Sequence, residues 1–301
     1  MPLPNDAVLL LAHGTVTDMS ELPAFLTTVR RGRPAPASLV EEMRNRYETI
    51  GGSPLLRYTL EQAQGLSARL GCPVEVAMRL WKPQVETVLP RLVAAGVTRV
   101  CLLPLAPFSV DIYVEAAKTA ATTHGFEEMQ FVAVQPWGLE PEFVQAQASL
   151  IAEYLTAEAP TPPDQGETQA IVLTAHSLPM HVINQGDRYG EEATACSEAI
   201  QSRLGRRAHL AFQSQGADGG DWLGPDLKDV LEQIARSGTR RVVIAPFGFL
   251  SDHVETLYDL DIEAAHLCDR LGLSLTRVPA LNTRPDFLDA LATIAKRALT
   301  Q

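Results

Sequence analysis

Basic charge is what this chain is short of. Its 301 residues hold 25 Lys and Arg against 36 Asp and Glu, a formal net charge of -11. Nucleic-acid backbones are held by basic surfaces, so the balance argues against DNA or RNA as a partner. Cysteine is scarce and dispersed: Cys72, Cys101, Cys196 and Cys268 form no Cys-x-x-Cys pair. Neither a disulfide framework nor a local metal knuckle is signalled, which fits a reducing cytoplasm. No apolar run approaches the roughly 18 residues that cross a bilayer. The start, Met1-Pro2-Leu3-Pro4-Asn5-Asp6, has none of the basic leader of a secretory signal. The expectation is a cytoplasmic monomer without a transmembrane segment.

Apolar residues are plentiful, 46% of the chain, enough for a large core. Short Val-, Ile- and Leu-rich runs alternate with longer helical patterns, the signature of βαβ units and parallel sheets. Strands are expected near Ala7–Leu11, Val74–Met78, Arg99–Leu103 and Gln130–Val134. A second set falls near Ala170–Thr174, Ala208–Phe212, Arg241–Ala245 and Leu273–Arg277. The two sets echo one another. Each first strand ends in Ala-His, at Ala12-His13 and Ala175-His176, and each third strand ends in proline with a serine five residues on, Pro104 with Ser109 and Pro246 with Ser251.

The fold class that follows is α/β: two similar Rossmann-like lobes, each a four-stranded parallel sheet flanked by helices. The proline-rich stretch Ala159–Gly166 suits an exposed connection, placing the lobes at 1–158 and 167–301. Ligands of such sheets bind beyond the carboxyl ends of the strands, so the active site is expected in a cleft between the lobes.

His176 closes a buried run just before Ser177-Leu178-Pro179 and is a candidate proton acceptor or metal ligand; a satisfied core histidine is the plainer reading. Downstream, Ser251 or Asp252 suits a helix N-cap, and Glu255, Asp259 and Glu263 recur every four residues along one helical face. Such a stripe is either a solvated surface or a group of like charges that recruits a cation and passes protons.

Pro104 stands 91 positions after His13, whereas Pro246 stands 70 after His176, so the first half carries about 21 more. The surplus is assigned to Val29–Ser53, which holds Arg30, Arg31, Arg33, Arg44 and Arg46. Guanidinium forks bind carboxylates, although a solvated loop also accounts for them. Leu22, Phe25, Leu26 and Val29 share helical spacing and form either core or an apolar lip, the latter open to peripheral membrane contact. Trp222, in a glycine-rich loop, either covers a flat ligand or pins its own loop.

Three motifs together resemble the ferrochelatase family: Ala175-His176-Ser177-Leu178-Pro179, Phe212-Gln213-Ser214 with Trp222-Leu223-Gly224-Pro225, and Ser251-Asp252-His253-Val254-Glu255-Thr256-Leu257-Tyr258-Asp259. The resemblance runs from Leu9 to Leu291. It implies a lyase-type chelatase of haem biosynthesis that inserts ferrous iron into a porphyrin, protoporphyrin IX or coproporphyrin III. His176 and Glu255 take the catalytic positions, and Asp259 and Glu263 trail along a partly π-helical segment. With His176 and Glu255 they form the implied metal path. Porphyrin contacts are implied at His13, Arg30, Arg31, Arg46, Ser53, Tyr113 and Trp222. Relatives resembling the Gram-positive type usually carry tyrosine where this chain has His13, on the opposite porphyrin face, which makes His13 a candidate axial ligand or a residue that alters metal preference. The resemblance implies no required cofactor, since Fe²⁺ is a substrate. A [2Fe-2S] cluster is not expected, because the chain ends at Gln301 without the family's terminal cysteine group. The alternatives are a cobalt or nickel chelatase of tetrapyrrole synthesis and a non-catalytic haem-binding or haem-transfer protein.

Overall fold

The computed structural model describes residues 5–155, 169–216 and 220–300. The expected connection at Ala159–Gly166 lies outside the described residues. The chain forms two units, Met1–Trp137 with Asn282–Gln301, and Gly138–Leu281.

The first unit is built on β1 (Asp6–Ala12), β2 (Val74–Met78), β3 (Arg99–Pro104) and β4 (Gln130–Ala133), in spatial order β2-β1-β3-β4. All pairs are parallel; Leu10, for example, lies beside Val76 on one side and Leu103 on the other. Every residue of β1 is buried, as expected for a central strand covered on both faces. The β1–β2 crossover carries α1 (Leu22–Val29), α2 (Ala37–Thr49) and α3 (Leu55–Leu70); α4 (Val85–Ala94) and α5 (Val110–Thr123) complete the later crossovers.

The second unit repeats the plan with β5 (Gln169–His176), β6 (His209–Gln213), β7 (Arg241–Ala245) and β8 (Ser274–Arg277), ordered β6-β5-β7-β8 and again parallel. Its helices include α7 (Met180–Asn184), α8 (Tyr189–Leu204), α9 (Leu227–Arg236), α10 (Val254–Leu257) and α11 (Ala265–Leu271). The amphipathic logic is plain in α9. Leu227, Val230, Leu231 and Ile234 form its buried stripe, and the Asp226 side chain caps it by accepting from the Lys228 amide.

The eight strands form where the period and β-branched content place them, within two residues at each end. The unit boundaries differ from 1–158 and 167–301 because two helices pack with the other half of the sequence. In the second unit, α6 (Pro141–Tyr154) buries Phe143, Val144, Leu150 and Ile151 and packs on α8, and Gln147 donates to the Phe247 carbonyl at 3.1 Å. Conversely, α12 (Pro285–Thr300) belongs to the first unit. Arg69 reaches Asp289 at 2.6 Å, Gln62 donates to the Asn282 carbonyl at 2.7 Å, and Arg99 donates to the Leu299 carbonyl at 2.7 Å.

Leu22, Phe25 and Leu26 are core, not a lip: all three are buried, and Phe25 meets Trp81 edge-on at 5.5 Å. Val29 alone of the set is exposed. Among the described residues, no helix is long and apolar enough to cross a membrane.

Candidate active site

Strand β5 is buried through Ala175 and delivers His176 to its carboxyl end with 35% of the side chain exposed. The loop after β7 is laid directly against it. Gly248 donates to the Thr174 carbonyl at 3.1 Å, and a Cβ on Gly248 would come within 2.7 Å of Ala175 Cβ and 2.8 Å of its Cα. Glycine is required here by close approach rather than by φ. The same loop leads into α10, whose N-cap is His253 rather than Ser251 or Asp252. A capping box with Thr256 forms there, while the Asp252 carboxylate is turned to Arg277 and Thr256.

Glu255 then projects toward His176, with Oε2 at 3.4 Å from Nε2. On the other side of the same oxygen lies His253 Nε2, at 3.7 Å. His176 Nδ1 meets the Ser177 carbonyl; a carbonyl only accepts, so Nδ1 carries the proton and Nε2 faces the carboxylate. His253 Nδ1 likewise meets the Ser251 carbonyl, at 3.1 Å. Burial opposes charge on the His176 imidazole, but the Glu255 carboxylate, the Ser177 carbonyl and Asp259 outweigh it and raise its pKa to about 8. His253 shifts upward against the same burial cost, through its bond to Glu255. Burial favours the neutral form of Glu255, yet the two imidazoles hold its carboxyl well below the ordinary range. The site is a carboxylate clasped by two histidines.

Beyond α10 the helix changes its winding. Asp259–Ala264 is a π segment, seen in the bond from Glu263 N to the Tyr258 carbonyl at 3.0 Å, before α11 resumes. A continuous α-helical stripe is therefore replaced by a wider turn, with Glu255 and Asp259 half-buried and Glu263 exposed. Strand β6 anchors this segment from below. Gln213 Nε2 donates to the Glu255 carbonyl at 3.0 Å, and the Ser214 hydroxyl donates to Asp259 Oδ2 at 2.5 Å. Ser214 does so from φ 61, a left-handed conformation rarely adopted by a residue with a Cβ. His176, Glu255, Asp259 and Glu263 do not gather into one donor set. Among the described residues no group of three or more His, Cys, Asp or Glu could hold a metal ion.

In the first unit, His13 is exposed just past the end of β1, and its Nδ1 lies 3.4 Å from the hydroxyl of buried Tyr113. Gly14, at φ 110, lets the Trp81 amide pass within 3.0 Å of where a Cβ would stand, so Arg79 and Leu80 can donate to the Ala12 and His13 carbonyls. The Arg79 guanidinium then sits over the Tyr113 ring, 5.4 Å from its centre. Arg30 ends α1, Arg31 follows it at φ 56, and Arg46 lies on α2, where it pairs with Glu42 at 3.2 Å. Helix α2 is tied down by the Tyr47 hydroxyl, 3.0 Å from Thr15 Oγ1. Ser53 lines a shallow hollow of about 380 Å³ with Thr17, Leu56 and Arg57.

Trp222 pins a loop. It bridges to Pro179, Leu223 donates to the Leu178 carbonyl, and Met180 donates to the Asp221 carbonyl, both at 2.8 Å, so the segment after His176 is stitched in place.

The sequence model of the ferrochelatase family matches residues 5–299. The chain belongs to the ferrochelatase family. It is 37% identical over 310 residues to a protein named ferrochelatase from Acidobacterium capsulatum, covering 97% of this chain and 94% of that relative. It is 34% identical over 301 residues to the coproporphyrin III ferrochelatase of Anoxybacillus flavithermus, covering 95% and 94%. Among solved structures, SirB from Bacillus subtilis with Fe³⁺ matches at a TM-score of 0.63 and 14% identity, covering 98% of this chain and 96% of that one. CbiX, the terminal enzyme of siroheme biosynthesis in denitrifying bacteria, matches at 0.55 and 14%, covering 97% and 98%. At that identity the likeness is one of fold, two parallel sheets of the chelatase type.

For a ferrochelatase family member, four contributors to the histidine and glutamate geometry escape sequence reasoning. His253 was visible as the histidine two residues before Glu255, but its placement on the same carboxylate oxygen was not. Gln213 and Ser214 stand in a recognised motif with no role legible from it. Arg277 carried no signal at all. Burial pushes the thiols of Cys101 and Cys196 up to about 12, and those of Cys72 and Cys268 up to about 11.

Proposed function

We propose that this chain inserts ferrous iron into a porphyrin as a step of haem biosynthesis in the cytoplasm. The observation that carries the reading is the His176–Glu255 pair, 3.4 Å apart, in a chain of this family. Insertion breaks two pyrrole N–H bonds and forms bonds from iron to the ring nitrogens. The divalent cation goes in and two protons leave, so charge balances.

Glu255, held as a carboxylate by two imidazoles, and the His176 Nε2 are the groups offered to those protons and to the incoming ion. Two donor groups make a weak site, which suits an ion that must be handed on rather than kept. Imidazole and carboxylate also suit Zn²⁺ and Co²⁺, so insertion of those ions accompanies the iron activity. Asp259 and Glu263 lie at increasing exposure along the π segment and form the proposed route for protons to solvent. General-base catalysis of this kind contributes roughly 10² to 10⁴ in rate.

Arg30, Arg31 and Arg46, with Ser53 and Tyr113, are the proposed partners of the porphyrin's carboxylate arms, since guanidinium forks match carboxylates. His13, beside the Tyr113 hydroxyl, is the proposed second imidazole for the metal. The chemistry calls for no resident cofactor.

An anaerobic assay that offers Fe²⁺ to protoporphyrin IX and to coproporphyrin III in parallel tests the proposal. Conversion of the free-base visible spectrum to the metalloporphyrin spectrum with at least one of them is the expected result. Silence with both, alongside turnover of sirohydrochlorin with Co²⁺, would replace it with the cobalt chelatase reading.

A further inference from the structure

Arg277, the last residue of β8, keeps only 14% of its side chain exposed and divides its guanidinium between two carboxylates. Nη1 donates to Asp252 Oδ1 at 2.7 Å, while Nε and Nη2 grip the two oxygens of Asp261, each at 2.7 Å. Asp252 immediately precedes the N-cap of α10, and its Oδ1 also accepts from the Thr256 hydroxyl at 3.0 Å and the Ala280 amide at 3.5 Å. Asp261 lies within the π segment. One side chain thus holds the chain on both sides of Glu255 and Asp259.

Between those anchors the segment is also held by burial of Val254, Thr256 and Leu260 and by the Ser214 hydroxyl on Asp259. Helix α10 is 4 residues long, far below the length at which a helix sustains itself, and the turn that follows is wound in a rarely stable form. Its position must be imposed from outside. Gln213 does so through one backbone carbonyl, and Arg277 does so at both ends with charge-assisted bonds.

The geometry points to Arg277 as a positioning residue for metal insertion: by bridging Asp252 to Asp261 it sets the register of the segment that carries Glu255 and Asp259, and so holds Glu255 against His176. This inference rests on the metal-insertion reading. A fork is essential to it, because a lysine ammonium engages as a single point and spans only one of the two carboxylates well.

The test uses the full chain with Arg277→Gln, Arg277→Lys and Asp261→Asn. Arg99→Lys serves as a control, because Arg99 makes a comparable two-oxygen pair with Asp6 in the first unit. Two quantities are read: amide hydrogen exchange across residues 254–263 without substrate, and kcat and porphyrin KM for Zn²⁺ insertion below the melting temperature. In Arg277→Gln, exchange quickens in 254–263 and not in β1 or β3, kcat falls roughly 10- to 100-fold, and porphyrin KM holds. Arg277→Lys and Asp261→Asn fall between that variant and wild type, and Arg99→Lys loses stability with kcat per folded molecule intact. A lowered melting temperature with wild-type kcat and wild-type exchange in the Arg277 and Asp261 variants overturns the assignment. If the wild-type chain inserts no metal, the metal-insertion reading fails, and unchanged exchange in Arg277→Gln then separately disproves the clamp.

Discussion

Oε2 of Glu255 stands 3.4 Å from His176 Nε2 and 3.7 Å from His253 Nε2, one carboxylate oxygen between two imidazoles. That arrangement keeps Glu255 ionised while it remains largely covered by protein.

Replacing His176 with alanine removes the group closest to that oxygen. Insertion should fall by roughly 10² to 10⁴, the range expected for loss of a proton acceptor. Porphyrin affinity, measured by fluorescence titration, should stay near wild type. Turnover close to normal would remove His176 from the mechanism.

The pH dependence follows from the same pair. With its pKa raised to about 8, His176 is mainly protonated at neutral pH and can accept a pyrrole proton only once it has lost its own. Insertion rates should therefore climb from pH 7 and level off above about 8. In Glu255→Gln the raising charge is gone while the burial cost remains, so the limb should move to lower pH even as the maximum rate drops. The stabilising contribution of the His176–Glu255 pair runs the other way. It is complete below the unfolded histidine pKa of about 6.5 and disappears as pH rises through about 8. A limb that stays in place in Glu255→Gln would contradict the assignment.

Ser214 offers a separation of strain from chemistry. Ser214→Ala keeps the left-handed backbone and loses the bond to Asp259, whereas Ser214→Gly loses the bond and relieves the strain. The glycine variant should be more stable than the alanine variant by about 1 kcal/mol in denaturant titrations. Both should show the same reduction in insertion rate if Asp259 depends on that hydroxyl.

Gly248 has no room for a side chain over Ala175. Gly248→Ala should cost about 1 to 3 kcal/mol through overpacking. It should also slow insertion, because the displaced strand end carries His176. Wild-type stability would mean that the β5 and β7 loops separate more easily than their spacing indicates.

Arg31→Ala tests the carboxylate partners apart from the metal chemistry. Porphyrin KM should rise with kcat little changed, and the rise should vanish for a porphyrin whose carboxylates are esterified. An unchanged KM for the free acid would leave Arg31 without that role.

The eight strands and their duplication were legible in the chain because each is a local pattern, while His176 and Glu255 stood out as the catalytic candidates only with the family resemblance. A short apolar run bounded by turn residues marks a strand locally, and Ala-His at two strand ends announces the repeat. The acidic residues at intervals of four were equally plain, but intervals do not show winding. The bond from Glu263 N to Tyr258 O makes the segment a π turn, which spacing alone reads as α-helix.

Sequence by itself therefore determined the fold class and the paired architecture, and through the family resemblance it singled out His176 and Glu255 as candidates. Tertiary structure decided which helix completes which sheet, since α6 and α12 choose their neighbours by the faces they bury rather than by their place in the chain. It also decided what holds Glu255 in place. His253, Gln213 and Arg277 act from the N-cap, from β6 and from β8, and the last two are separated from Glu255 by stretches of chain over which no local preference operates. Their convergence is a property of the packed sheet, in which parallel strands bring their carboxyl ends to one edge.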